Sequence, residues 1–351
     1  MSIHVSTVAL TLALVPTRCI LPLHLTNRES VGLPCDGPQT LAGPRGTQQG
    51  LSARLTCLAA RETHAAMAAP LWSRLLFYAS RALSSADVAQ QVLRDELLFA
   101  YMHPNQRGAL TSAAYALNGD YIPGGAIFGA GLFPWEKALL ENPRVPNSGR
   151  VLVAAAGGGR EVAALLARGY DVYAFEPVEP FLESARRVVQ GSGSRVVGAS
   201  YADLVERAAG RDGGPLRDCT GPFDLCLLGW GSLSHLTEPG VVVQVLQGLR
   251  VLAPCAPVIT SFMLRRGEAE ATNGGARKLR RVVRRVLQSV GGRATPPGLS
   301  FLNFAGFLYS FSQEELFELC RQAGYAVHYF SDRDYPHALL LPLASSGGAG
   351  S

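Results

Sequence analysis

Gly157, Gly158 and Gly159 follow the apolar run Val151 to Ala155, and a carboxylate, Glu176, follows Gly159 by seventeen positions. A triple glycine lets a chain turn sharply and lets a ligand come close to its backbone. An acid at the end of the next apolar run is placed to accept hydrogen bonds from ribose hydroxyls. His235 is the second residue with evident chemistry. It follows the apolar run that begins at Phe223, and an imidazole titrates near the range that proton transfer needs. It is therefore the candidate base, set against a helix-start histidine that only bonds backbone or substrate. Ser232 and Ser234 have no visible His–Asp partnership, so they read as caps or cofactor contacts and not as nucleophiles. Trp230 suits stacking on an adenine or a substrate, or plain core packing. His103 and Tyr309 are weaker pocket candidates.

These residues need particular elements beneath them. Val151 to Ala155 has the unbroken apolar character of a buried parallel strand. Arg160 to Arg168 reads as a helix with Val162, Leu165 and Leu166 on one face, and Gly169 stands at the usual stop position. Asp171 to Phe175 is a second strand. The whole is half of a nucleotide-binding βαβ unit. The slot where a dinucleotide site wants a third small residue holds Val162. This half alone leaves NAD and S-adenosylmethionine both open.

The later segments resemble the class I S-adenosylmethionine-dependent methyltransferases, over roughly residues 149 to 343. Gly157-Gly158-Gly159 followed by Arg160-Glu161 is similar to that family's glycine motif, and Glu176 with Pro177 matches its ribose acid. Val196 to Leu204 resembles the third strand and its exit. There the resemblance puts Ala202 beside the cofactor and Asp203 near the adenine amino group. Phe223 to Leu236 is similar to the fourth strand and active-site loop, with Gly229 and Trp230 as cofactor contacts. Val241 to Phe262 reads as helix, turn and fifth strand. Tyr309 to Leu343 resembles the C-terminal strand, helix and strand, with Ser312 and Glu315 as a capping box and Gly324 as the stop. The implied fold is α/β: a doubly wound, mostly parallel seven-stranded sheet with an antiparallel C-terminal strand and a helical N-terminal lid. Two positions depart from the family pattern. Val153 holds the place of an acid that helps bind the methionine end of the cofactor, and Ala155 replaces the first glycine.

Composition bounds the rest. At 351 residues, 48% apolar and with a net charge of +5, the chain can bury a large core and has no strong electrostatic signature. Seven cysteines without metal-ligand spacing suggest reduced thiols in a cytoplasmic protein. Cys255, after Pro254, precedes the fifth strand and not the loop after the fourth; it reads as a turn with a buried thiol. No apolar run approaches the roughly eighteen residues that span a bilayer. Oligomeric state is not legible.

Residues 1–66, rich in Pro, Gly, Thr and Arg, read as a disordered extension, with Met67 a candidate natural start. Residues 67–148 form a helical and aromatic-rich prelude. Leu71 to Leu83 and Ser85 to Tyr101 are two expected helices, with Ser84 or Ser85 capping the second. The aromatic cluster Tyr101, Tyr115, Tyr121, Phe128, Phe133 and Trp135 suits either a lid or a docking face. Residues 149–345 are the methyltransferase-like domain and 346–351 a flexible tail. Within the domain, 263–299 is an insertion or mobile flap that carries the basic helix Arg277 to Arg285. A solvated face is favoured there over a nucleic-acid or anionic-membrane patch.

The expected function is S-adenosylmethionine-dependent methyl transfer to a small molecule, at oxygen or nitrogen before carbon. No Asn/Asp-Pro-Pro-aromatic run points to base methylation, and no His/Cys/Asp cluster has metal spacing. The alternatives are a cofactor-binding protein without transferase activity, motivated by Val153, and an NAD-dependent oxidoreductase.

Overall fold

A computed structural model describes residues 71–212, 214–265 and 274–344. The expectations for residues 1–66, Met67 and 346–351 lie outside these residues. Residues Leu75–Ser351 form one compact unit, and every contact described below lies within it.

Seven strands form the central sheet: β1 (Gly149–Ala154), β2 (Tyr170–Phe175), β3 (Arg195–Val197), β4 (Leu225–Leu228), β5 (Val258–Ser261), β9 (Tyr325–Ser331) and β10 (His337–Pro342). Their spatial order is β3-β2-β1-β4-β5-β10-β9. The pairings among the first five are parallel, whereas β10 runs antiparallel to both β5 and β9. Strands covered on both faces need apolar residues throughout, and β1 and β4 have them. Alternate residues serve opposite cores. Val151 and Val153 face a layer built from α4 (Pro134–Leu140), α5 (Arg160–Ala167) and α6 (Glu179–Val188). Leu152 and Ala154 face α7 (Tyr201–Ala208), α8 (Pro239–Leu252) and α10 (Gln313–Gln322). The sheet is thus doubly wound, as the sequence led one to expect.

The prelude differs from expectation. A single helix, α1 (Leu71–Tyr101), runs through Ser84 and Ser85. The Ser85 hydroxyl donates to the Arg81 carbonyl at 2.8 Å, bonding back within the helix and capping nothing. After it comes α2 (Pro104–Ala116), opened by Pro104 at its first turn and by a capping box between His103 and Gln106. A short helix, α3 (Ala126–Gly129), then leads into α4.

The C-terminal assignment is also corrected. The segment holding Tyr309 is β8 (Gly306–Phe311), which lies in a separate three-stranded sheet between β6 (Met263–Leu264) and β7 (Leu299–Leu302). β8 turns back through residues 303–305 onto β7 as an antiparallel pair, so a local partner captures it. Both remaining strands of the main sheet follow α10 as a hairpin. The capping box of Ser312 and Glu315 and the positive-φ stop at Gly324 stand as expected. Cys255 is exposed, contrary to the buried thiol expected, because the turn between α8 and β5 lies on the surface.

The basic segment is helix α9 (Gly274–Ser289). Arg284 makes a bidentate pair with the buried Glu96 of α1, at 2.9 and 2.8 Å, and Arg280 approaches the same carboxylate at 3.5 Å. Two of its arginines are therefore taken up by α1. Among the described residues, no helix is long and apolar enough to cross a membrane.

Candidate functional site

Strand order reverses between β1 and β4, and in open α/β sheets ligands bind beyond the carboxyl ends of the strands at such a point. A cavity of about 750 Å³ opens there, walled by the exits of β1, β2 and β4 on one side and by α2 on the other. No described residue of the 263–299 segment lines it.

The turn after β1 forms the floor. Gly157 and Gly158 line the cavity. A side chain on Gly158 would place its Cβ 2.0 Å from the Tyr121 carbonyl oxygen, so the prelude lies directly against the turn. Gly159 does not line the cavity. A Cβ there would meet the Cα of Ala185 at 3.0 Å, so this glycine lets α5 approach α6. Ala155, where the resemblance has glycine, adopts φ +54°, a region costly for any residue with a Cβ. Gly229 completes the arrangement from behind, since a Cβ there would lie 2.0 Å from the Ala155 oxygen.

Glu176 ends β2 in the cavity wall, almost fully buried. Its carboxylate accepts the Gly157 amide at 2.8 Å and the Val178 amide at 2.9 Å, one on each oxygen. Burial nevertheless pushes its pKa up to about 7. Each oxygen keeps a further lone pair for a ligand. Pro177, Ser200, Tyr201 and Ala202 continue the wall. Asp203 does not. It is the acid of a capping box, where its Oδ2 accepts the Ser200 amide at 2.8 Å and the Ser200 hydroxyl at 2.7 Å.

Trp230 lines the cavity beyond β4, edge-on to Phe133 at 4.8 Å and to Tyr335 at 5.3 Å. Its indole Nε1 is buried without an acceptor among the described residues. Its amide donates to Glu161 at 3.2 Å. Glu161 belongs to a buried ion cluster in which Arg160 donates to Glu136 through both terminal nitrogens at 2.6 Å and to Glu161 at 2.7 Å. With both carboxylates ionised, this cluster carries one negative charge in excess. Glu161 lines the cavity, whereas Val153, where the family has its acid, is sealed in the core.

His235 sits on the other side, in the turn Ser232–His235 after β4. Its Nδ1 lies 3.0 Å from the Phe307 carbonyl oxygen, which can only accept, so the proton belongs on Nδ1. Nε2 then accepts from the Tyr115 hydroxyl at 2.9 Å. Burial lowers the His235 pKa to about 4 and raises that of Tyr115 well above its ordinary value. The imidazole is a neutral acceptor here.

The two serines have structural partners. Ser232 bonds the Tyr201 hydroxyl at 2.8 Å, and Ser234 accepts the Met263 amide at 2.7 Å. His103 is the exposed cap of α2 at the cavity rim. Tyr309 is buried away from the cavity and bonds Glu315.

Sequence reasoning gave no chemical role to Arg107, Tyr115 or Glu161. A signal for the first two existed: Arg107, Thr111 and Tyr115 recur every fourth residue and so share one face of α2.

No protein-family model matches the chain, and no curated protein does. Among solved structures it is similar to the 1,6-didemethyltoxoflavin-N1-methyltransferase of Burkholderia thailandensis, with 20% identity and a TM-score of 0.45 over 68% of this chain and 88% of that one. It is also similar to the PH0226 protein of Pyrococcus horikoshii, with 16% identity and a TM-score of 0.45 over 66% and 98%. A third is the sugar N-methyltransferase KedS8 of a Streptoalloteichus species, with 12% identity and a TM-score of 0.40 over 60% and 85%. By its own strand order, its one reversed strand and its glycine turn at the end of β1, the chain has the class I S-adenosylmethionine-dependent methyltransferase fold.

Proposed function

We propose that the protein transfers a methyl group from S-adenosylmethionine to a small molecule bound in the same cavity, at an oxygen or nitrogen atom. The observation that carries this reading is the meeting of two half-sites in one cavity. Glu176 and the Gly157–Gly158 turn stand at one end, and the Tyr115–His235 pair at the other.

The residues present fit the cofactor. Glu176 has lone pairs for ribose hydroxyls, and Gly157, with open space where a side chain would stand, leaves the backbone open to a ligand. The buried Nε1 of Trp230 awaits an acceptor. Tyr201 and Ala202 flank the nucleoside end. Glu161 supplies, from the opposite side of the turn, the negative charge that the methionine ammonium would lose through Val153.

When bound, S-adenosylmethionine supplies a methyl group on a sulfonium that leaves as a neutral thioether. The chain contributes position and exclusion of water. Tyr115 donates its only proton to His235, and its oxygen, which the Tyr121 hydroxyl also reaches, keeps a second lone pair for a ligand in the cavity. It therefore orients an O–H or N–H of the methyl acceptor. His235, with a pKa near 4, fixes Tyr115 and does not store the departing proton. The departing proton passes to solvent, so the site suits phenols and enols that ionise readily and amines that attack as the free base.

Calorimetric titration with S-adenosylmethionine, S-adenosylhomocysteine and NAD tests the reading. It requires binding of both sulfur nucleosides and not of NAD. Binding with no transfer of labelled methyl to a panel of phenols and amines would favour a non-catalytic cofactor-binding role.

A further inference from the structure

Arg107 stands on α2 two turns before Tyr115 and lines the same cavity. It is only 5% exposed. Its Nε is buried without a partner, and its guanidinium makes no hydrogen bond or ion pair with a described residue. The group lies over the Phe307 ring at 5.6 Å, the residue whose carbonyl also holds His235. Thr111, midway along the same helix face, accepts the Phe307 amide at 3.0 Å and so fixes this ring against α2. A buried guanidinium without a hydrogen-bonded partner is costly; the Glu238 charge offsets this only from a distance, and an anionic ligand in the cavity would complete it. Every other buried charged side chain of the cavity wall has its partners within the protein: Arg160 and Glu161 in one cluster, Glu176 on two amides.

We infer that Arg107 is the recognition site for a carboxylate on the methyl acceptor, whose substrate is therefore an acid with an apolar or aromatic body. This deepens the methyltransferase reading and rests on it for the word acceptor. Several features define the ligand. Phe307, Leu236, Val241 and Phe181 give the space between Arg107 and the cofactor end an apolar wall. Arg107 and Tyr115 are eight residues apart, about 12 Å along the helix axis. The acid group thus binds at the far end of the acceptor from the atom that Tyr115 orients. A planar guanidinium suits a carboxylate, which it can bond in two places. Glu238, at the same cavity and a charge that Arg107 already senses, opposes a dianion such as a phosphate monoester.

Matched extended aromatic acids and their primary amides test the inference, with 4'-hydroxybiphenyl-4-carboxylate against its amide and 6-hydroxy-2-naphthoate against 6-hydroxy-2-naphthamide. Binding is measured by calorimetry, with and without saturating S-adenosylhomocysteine. The wild type should prefer at least one acid over its amide by tenfold or more. Arg107→Met should abolish that preference, leave S-adenosylhomocysteine affinity unchanged and raise the melting temperature of the ligand-free protein. Arg107→Lys should keep part of the preference. A wild type that binds no acid better than its amide overturns the inference, as does a preference that survives in Arg107→Met. Preference for acids without S-adenosylhomocysteine binding would sustain the Arg107 site and overturn the methyltransferase reading instead.

Discussion

The Tyr115 hydroxyl and His235 Nε2, 120 residues apart in sequence, lie 2.9 Å apart across the cavity. The bond joins the prelude to the loop after β4, and it fixes the direction of every proton in the pair. Nδ1 donates to Phe307 and Nε2 accepts from Tyr115, which leaves the tyrosine oxygen as an acceptor shared between Tyr121 and the cavity.

Removing the hydroxyl should therefore cost turnover and spare the cofactor. Tyr115→Phe is expected to lower kcat by on the order of 10²-fold through lost positioning, with S-adenosylhomocysteine affinity unchanged. Equal losses of both would mean that Tyr115 merely holds the lid.

His235 should stay neutral across the working range. Its folded pKa near 4 lies below the ordinary histidine value, so the charged form is favoured by unfolding. The associated stability is present above about pH 6.5 and is lost as pH falls through 4, at most about 3 kcal/mol. Nitrogen NMR of the imidazole should show the Nδ1-protonated neutral tautomer from pH 8 down to 5. An imidazolium at pH 6 would contradict this.

Much of this was legible in the sequence, for physical reasons that also mark the limits. β1, the glycine turn, α5 and Glu176 form one contiguous unit in which local propensity and burial agree. Asp203 is different, because three residues after Ser200 an acid has a local partner, and the capping box takes it. The same signal was read correctly at Ser312 and Glu315. β8 was misplaced because Gly306–Phe311 is as apolar as a central strand, and only the non-local pairing with β7 distinguishes it. The spacing of Arg107, Thr111 and Tyr115 marks a shared helix face but not which way that face turns, so the burial of Arg107 shows only in the fold.

Glu176 provides a pH test. Burial holds its pKa near 7, and ribose hydroxyls donating to it favour the ionised form. Cofactor binding should therefore tighten as pH rises from 6 to 8 and release protons near pH 7, measurable by calorimetry in buffers of different ionisation enthalpy. Glu176→Gln should flatten the dependence. A flat profile in the wild type would contradict the assignment.

Ala155 offers a stability test, because its φ of +54° is one that glycine adopts freely. Ala155→Gly should stabilise the protein by about 1 kcal/mol in urea unfolding. A destabilisation would show that the methyl group is held by packing worth more than the strain.

The ion cluster behaves oppositely. Glu136 is buried and bonds Arg160 through both carboxylate oxygens, so Glu136→Gln loses a charge-assisted pair, leaves Arg160 with Glu161 and should cost about 1.5 kcal/mol. Glu161→Gln should instead weaken S-adenosylmethionine binding, since its charge faces the cavity. If Glu161→Gln binds as the wild type does, the methionine end is held elsewhere.

The account rests on Glu176 holding a nucleoside ribose beside the glycine turn. Its most direct test is the calorimetric dissociation constant of S-adenosylhomocysteine for the wild type and for Glu176→Ala. Lost charge-assisted hydrogen bonds of roughly 1.5–3 kcal/mol predict binding by the wild type and an affinity more than tenfold weaker in the variant. A wild type that fails to bind, or a variant that binds equally well, would contradict it.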